Sequence, residues 1–121
     1  MLPLSTKIRV FIHRYDTDMR KSFDGLHAIV NNEFNQSIFT GDLFVFFNRT
    51  RDRCKILLWD RDGLVVWAKR LERGTFQRPA AGNAVADHQA AIEVDATTLS
   101  LILSGVDLVS VQRRKRYSPV A

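Results

Sequence analysis

Several aspartates in this sequence are of the type that metal-dependent chemistry uses: Asp16, Asp18, Asp24, Asp60 and Asp62. Two-metal catalysis needs carboxylates that converge on ions roughly 4 Å apart. Each of these aspartates has a simpler interpretation. Asp18 is placed to cap a helix, Asp60 and Asp62 to build a hairpin, and the other two to neutralise neighbouring cations. We therefore expect no catalytic carboxylate site.

The remaining reactive residue types do not form a catalytic or metal-binding pattern either. His13, His27 and His88 lack metal-ligand spacing, and the 6 glycines are scattered rather than gathered in a phosphate-binding loop. Cys54 is the single cysteine, which excludes an internal disulfide and favours a buried structural thiol over a nucleophile. The sequence predicts a protein that is not an enzyme and has no cofactor or metal.

Basic residues carry more information, because they form three clusters. Arg20 and Lys21 are predicted to lie in the first turn of a helix. The second cluster, Arg49, Arg51 and Arg53, occupies a loop that holds a single acid, Asp52. The third cluster, Lys69, Arg70 and Arg73, follows a strand. At a helix start, cations and free amides together favour an anion such as a backbone phosphate, although the nearby aspartates could equally neutralise them. Three clusters favour a phosphate-binding face over a merely solvated surface.

The charge is unevenly distributed along the chain. The 121 residues contain 18 Lys and Arg against 13 Asp and Glu, a net charge of +5, yet residues 79–112 contain no Lys or Arg. The basic residues fall in the first two-thirds and in the short run 113–116. Such asymmetry indicates a polyanionic partner more strongly than net charge alone.

Apolar spacing predicts the elements that position these clusters. Residues 7–15 alternate as a strand, and Asp18 precedes a helical stripe of about four turns made by Met19, Phe23, Leu26, Ile29, Val30 and Phe34. Three further strands, Leu43–Phe47, Cys54–Trp59 and Leu64–Ala68, follow in succession. Asp62-Gly63 is a hairpin signal, so these strands are predicted to form an antiparallel meander. Trp59 and Trp67 are expected on opposite faces, with burial of at least one.

Both faces of this sheet are apolar, so both must be covered. The first helix covers one face, and the other needs a second helix or a second chain, which leaves a homodimer open. Ala91–Val94 is predicted as a short strand, and Asp95 caps a helix over Ala96–Ser104 that Gly105 ends. We expect one α+β domain over 1–112 with a flexible loop at 80–90, and a basic, disordered tail at 113–121.

The sequence gives three indications of cellular location. No apolar run approaches the roughly 18 residues of a membrane span, and the first residues do not resemble a signal peptide. A single cysteine fits a reducing compartment. We expect a cytoplasmic protein that does not bind membranes.

Several ordered motifs resemble those of one known family. They are Asp18-Met19-Arg20-Lys21-Ser22-Phe23-Asp24-Gly25-Leu26, then Gly41-Asp42-Leu43-Phe44-Val45-Phe46, Asn48-Arg49, Lys55-Ile56-Leu57, Trp59-Asp60 with Asp62-Gly63, and Lys69-Arg70-Leu71-Glu72-Arg73-Gly74-Thr75-Phe76 ending at Pro79. The family is the TnpB-type accessory protein of bacterial insertion sequences of the IS66 group. The resemblance covers roughly residues 8–79 and the helix end near 103–107.

This resemblance implies a protein encoded beside a transposase and needed for efficient transposition, and it supplies no catalytic residues. The matching cations include Lys55 besides members of the three clusters. Whether these cations contact DNA or protein stays open. One hypothesis is a DNA-binding accessory factor that contacts the phosphate backbone; the other is a module that docks on the transposase or a sister accessory protein. The chain departs from the family at Phe47, which suggests an additional apolar contact.

Overall fold

The computed structural model describes residues 7–79, 90–106 and 116. The elements in these residues are β1 Val10–His13, α1 Phe23–Ile29, β2 Leu43–Phe47, β3 Arg53–Asp60, β4 Gly63–Arg70, β5 Ala91–Val94 and α2 Ala96–Ser104. A π-helical turn, Val30–Phe34, continues α1, and a 3-10 turn, Ile38–Thr40, precedes β2. The predicted α+β class is confirmed.

The strands form one mixed sheet in the order β4-β3-β2-β1-β5. Strands β2, β3 and β4 make the predicted antiparallel meander. Strand β1 pairs with β2 in parallel, which requires the long crossover that α1 supplies. Strand β5 pairs antiparallel with β1 at the far edge. The sheet is therefore only partly antiparallel.

Both faces of the sheet are covered by helices, as predicted. On one face, Phe44 and Leu57 pack with Leu26 of α1 and Phe34 of the π-helical turn. On the other, residues such as Val45 and Ile56 pack with Leu99 and Ile102 of α2. The predicted contact of Phe47 is made with Phe76, whose ring centroid lies 5.6 Å away. A second chain is not needed to complete this core.

Helix α1 begins later than predicted. Its N-cap is Ser22, and the Asp18 carboxylate instead accepts a 2.9 Å hydrogen bond from the Arg20 amide and pairs with the Arg20 guanidinium. The side chain of Asp18 thus caps a turn, because donors two residues away reach it first. Arg20 and Lys21 precede the helix, so their predicted placement in its first turn is wrong.

The hairpin between β3 and β4 also differs in detail. Asp60 pairs with Gly63, so the loop residues are Arg61 and Asp62, and the positive φ of 52° falls on Arg61 rather than on Gly63. The two strands are longer than predicted, whereas β1 is shorter than 7–15.

The tryptophans of this hairpin lie on opposite faces, as predicted. Trp59 packs with the α1-side core and Trp67 with the α2-side core. The prediction that at least one is buried is wrong, because both side chains are only partly covered. Trp67 belongs to β4, which is an edge strand, and Trp59 lies near the end of its hairpin.

The C-terminal elements match their predicted bounds. The Asp95 carboxylate accepts a 2.7 Å hydrogen bond from the Thr98 amide, and Gly105 ends α2 with a φ of 86°. The predicted loop at 80–90 and tail at 113–121 lie outside the described residues, except for Ala90 and Arg116. Arg116 donates a 3.2 Å hydrogen bond to the Thr75 carbonyl. None of the described helices is long and apolar enough to cross a membrane.

Candidate nucleic-acid interface

The loop between β2 and β3 is fixed by hydrogen bonds that occupy its single acid. The side-chain amide of Asn48 and the Thr50 hydroxyl each donate a 2.7 Å hydrogen bond to the Asp52 carboxylate, and these bonds lower the pKa of Asp52. The Asn48 side chain also accepts from the Arg53 amide at 3.1 Å. This arrangement leaves the side chains of Arg49, Arg51 and Arg53 exposed.

A second segment, residues 14–20, lies against this loop. The Thr17 amide donates to the Phe47 carbonyl at 2.9 Å, and the Arg78 guanidinium donates 2.6 Å hydrogen bonds to the Arg14 carbonyl and the Asp16 carboxylate. The bond from Arg78 is the main cause of the lowered pKa of Asp16, to which the nearby charges of Arg51 and Arg49 contribute. A depression of about 340 Å³ at this junction is lined by Arg20, Arg49 and Arg53, among others.

The third cluster meets the other two at the ends of β3 and β4. Arg53 lies directly opposite Arg70, and a cavity of about 310 Å³ beside them is also lined by Lys55 and Lys69. Arg53 lines both depressions, so they adjoin at this residue.

The segment that carries Arg73 is held on the β2–β3 loop by two backbone hydrogen bonds. The amides of Leu71 and Phe76 donate to the carbonyls of Asp52 and Arg51, both at 2.7 Å. The segments that carry the three clusters therefore meet where β2 ends and β3 begins. We call this surface the basic end; its cations are Arg20, Lys21, Arg49, Arg51, Arg53, Lys69, Arg70 and Arg73.

Lys55 has a different place from the other candidate residues. Its Nζ atom donates hydrogen bonds of 2.7 Å to the carbonyls of Met19 and Lys21. The ammonium therefore fixes the segment that carries Arg20 and Lys21 to the sheet. We assign it to holding the basic end together.

Only part of the charge at the basic end is neutralised. Arg20 pairs with Asp18 at 2.7 Å, which lowers the pKa of Asp18 to about 2, and Arg70 pairs with Glu72 at 3.1 Å. Within residues 7–79 and 90–106, no ion pair to a carboxylate is made by Arg49, Arg51, Arg53, Lys69 or Arg73. Arg53 and Arg70 lie opposite one another in the β3–β4 register, and like charges in register repel.

Sequence reasoning missed a buried histidine network. The Nδ1 atom of His13 lies 3.1 Å from the Thr17 hydroxyl, and Nε2 lies 3.2 Å from the Glu33 carboxylate. The imidazole packs on Phe34 and Phe46, with ring centroids 5.4 and 5.7 Å away. His13 and Thr17 are each 4% exposed, so a substrate does not reach the hydroxyl, and the network serves to join β1 to the helical segment. The alternation of residues 7–15 indicated a strand but gave no signal for a partner 20 residues away.

The other candidate reactive features are the single thiol and the potential metal ligands. Cys54 is buried, which raises the pKa of its thiol strongly and leaves it protonated. Among these residues, no group of three His, Cys, Asp or Glu could hold a metal ion.

Comparison with known proteins gives matches to one family and to two bacterial relatives. A family model described as IS66 Orf2 like protein matches residues 8–113. The uncharacterized protein y4hO of Sinorhizobium fredii is 36% identical over 107 residues, which cover 88% of each chain. The uncharacterized protein y4jC of the same organism is 29% identical over the full length of both chains. No solved structure matches this sequence.

Proposed function

This chain belongs to the family of IS66 Orf2-like proteins, and on that premise we propose that it binds DNA as the non-catalytic accessory protein of an insertion sequence. The family identifies it as an insertion-sequence accessory protein. The contact with DNA and the absence of catalysis are our additions. Both are argued from the basic end and from the environment of the reactive groups.

The convergence of three separate basic segments on one surface is the observation that supports DNA binding. Residues 20–21, 49–53 and 69–73 are distant in sequence, yet Arg20, Arg49 and Arg53 line one depression and Arg53, Lys69 and Arg70 line the next. Arginine side chains without a carboxylate partner suit phosphate oxygens, which they can bind in a bidentate way. Contacts of this kind position a protein on DNA and do not read its sequence. The preference among DNA sequences is therefore expected to be weak.

The environment of the reactive groups within the described residues supports a non-catalytic accessory role. The one thiol is buried and protonated, and the hydroxyl that faces His13 is shielded from solvent. The carboxylates of the basic end form hydrogen bonds within the scaffold, as Asp18 and Asp52 do.

Two matched arginines allow a direct test. Arg51 and Arg61 are both exposed, both have positive φ, at 58° and 52°, and occupy the loops at opposite ends of β3. Asn tolerates this backbone conformation, so Arg51→Asn and Arg61→Asn each remove one charge at a similar site. Arg61→Asn also removes a 3.9 Å ion pair with Asp60. Binding of a fluorescent DNA duplex is measured by anisotropy as a function of salt. We expect Arg51→Asn to weaken binding and reduce the log–log salt slope by about 1, while Arg61→Asn matches the wild type.

The possible results separate the two hypotheses from the sequence analysis. Equal losses for both variants would show that only net charge matters and would refute a localised interface. Absence of salt-dependent DNA binding by the wild type would refute the DNA proposal altogether. Docking on the transposase or on a sister accessory protein would then be the leading interpretation of the same arginines.

A further inference from the structure

Strand β4 is an edge strand whose outer side is unpaired among the described residues. It spans eight residues, Gly63–Arg70, contains no proline, and has its charged residues confined to the C-terminal end. Natural proteins normally protect edge strands by shortness, by proline or by charges within the strand. The opposite edge, β5, follows this rule, because it has four residues and carries the exposed Glu93.

The backbone groups on the outer side of β4 follow from two hydrogen bonds. The backbone amide of Asn48 donates to the Arg53 carbonyl at 3.3 Å. The backbone N–H and C=O groups of Arg53 and of every second residue after it therefore point towards β2. The Leu71 amide donates to the Asp52 carbonyl, so the alternate residues of β3 face β4. With the observed register, residues 63, 65, 67 and 69 bond to β3. The amides and carbonyls of Leu64, Val66, Ala68 and Arg70 therefore point away from the sheet.

We infer that β4 pairs antiparallel with β4 of a second copy of this chain, with Val66 opposite Val66 of that copy. In this register Leu64 lies opposite Ala68 of the other copy. The outward N–H and C=O groups of the two strands form hydrogen bonds with one another. Val65, which is 40% exposed, gains apolar neighbours from the second strand. The result is a two-fold symmetric, ten-stranded sheet.

Charge complementarity selects this occupant and this register. Asp62 and Arg70 lie the same number of residues from Val66 along the chain. Each Asp62 therefore comes opposite Arg70 of the other copy, and the dimer contains two such pairs. Asp62 makes no ion pair within the described ranges, and the Arg70 side chain is 61% exposed although it contacts Glu72. A guanidinium has five N–H donors and can bind both carboxylates. Parallel pairing would instead place Arg70 beside Arg70 and Lys69 beside Lys69, which is unfavourable.

This inference does not rest on DNA binding. It does have a geometric consequence for the proposed function, because antiparallel pairing directs the two basic ends to opposite ends of the joined sheet. A dimer of this kind presents two separate phosphate-binding surfaces.

A charge exchange tests the dimer. The mass of the full-length protein is measured by sedimentation velocity over a roughly hundredfold range of concentration. We expect a dimer for the wild type, and dissociation constants raised at least tenfold for Asp62→Arg and for Arg70→Asp, because both contacts become repulsive. Mixing the two variants restores opposite charges at both contacts, so they should form a heterodimer at concentrations where each alone is monomeric. The double variant D62R/R70D should dimerise again.

A second pair of variants tests the backbone contact. Val66→Pro removes an amide that points outward and leaves the bonds to β3 in place, so it should abolish the dimer while circular dichroism stays unchanged. Val66→Thr keeps the amide and should remain dimeric. A wild-type monomer at all concentrations, or a dimer that neither proline nor the charge variants affect, would overturn the inference. If the wild type is a monomer, the outer edge of β4 would be expected to pair with another protein or with residues of this chain that the structure does not describe. The DNA-binding test uses Arg51 and Arg61 only, so failure of one proposal is distinguishable from failure of the other.

Discussion

The Nζ atom of Lys55 donates a 2.7 Å hydrogen bond to the carbonyl oxygen of Met19, 36 positions earlier in the chain. A second bond of the same length joins it to the carbonyl of Lys21. The Lys55 ammonium thus binds two backbone carbonyls of the segment before α1. These bonds hold Arg20 near Arg49 and Arg53. A lysine that the family motif contains is used here to position other basic residues.

Replacing this lysine should destabilise the fold. We expect Lys55→Met to lower the free energy of unfolding by about 1.5 kcal/mol, the lower part of the range for hydrogen bonds to charged groups, because the ammonium is partly exposed. Lys69→Met removes the same charge from an exposed site on the neighbouring strand and serves as the control. Urea unfolding measures both. Equal stability of the two variants would contradict the positioning role of Lys55.

Removing the arginines of the β2–β3 loop should weaken binding to all DNA sequences alike. With about four to six phosphate contacts, the wild type should show a log–log salt slope of roughly −4 to −5. The triple variant in which Arg49, Arg51 and Arg53 become Ser should reduce that slope by about two to three, since phosphate contacts position without specifying. Anisotropy titrations with duplexes of unrelated sequence check this. A loss confined to one sequence would contradict contacts to phosphates alone.

The β2–β3 loop should lose stability in acid because of Asp52. Hydrogen bonds from Asn48 and Thr50 lower the pKa of Asp52 in the folded protein, so its contribution is complete above the unfolded value of about 4 and disappears as the pH falls through the lower folded pKa. Asp52→Asn should therefore be less stable than the wild type at neutral pH, with a difference that shrinks in acid. Urea midpoints at several pH values provide the measurement. A constant difference across that range would be inconsistent with this mechanism.

Cys54 should be chemically inert in the folded protein. Its thiol is buried and its pKa is raised by desolvation, so the reactive thiolate is scarce and inaccessible. A disulfide reagent should modify it only as fast as the protein unfolds, and denaturant should accelerate the reaction to the rate of a free thiol. Rapid labelling without denaturant would show that the α2-side core opens.

The candidate site was predictable in its members and not in its assembly. Runs such as 49–53 and 69–73 are basic in any conformation, so their sequence sufficed to identify them. Their meeting depends on the Arg53–Arg70 register and on backbone bonds from Leu71 and Phe76 to the preceding loop. Spacing along the chain carries no signal for those contacts. The start of α1 was misjudged for a related reason, because Asp18 had a competing donor in Arg20 that helical periodicity does not register.

Local sequence determined the elements of this protein, and tertiary structure decided their partners. Short apolar runs specify β2, β3 and β4, and a helical stripe specifies α2. Apolar residues on both sides of the strands require two covered faces, because side-chain direction has a fixed period in each element. The parallel pairing of β1 with β2, the burial of His13 between Thr17 and Glu33, and the anchoring of Asp42 by the Arg9 amide and guanidinium all join residues far apart in the chain. Only the packed fold brings such groups within hydrogen-bond distance, since these contacts depend on how the elements are arranged in space.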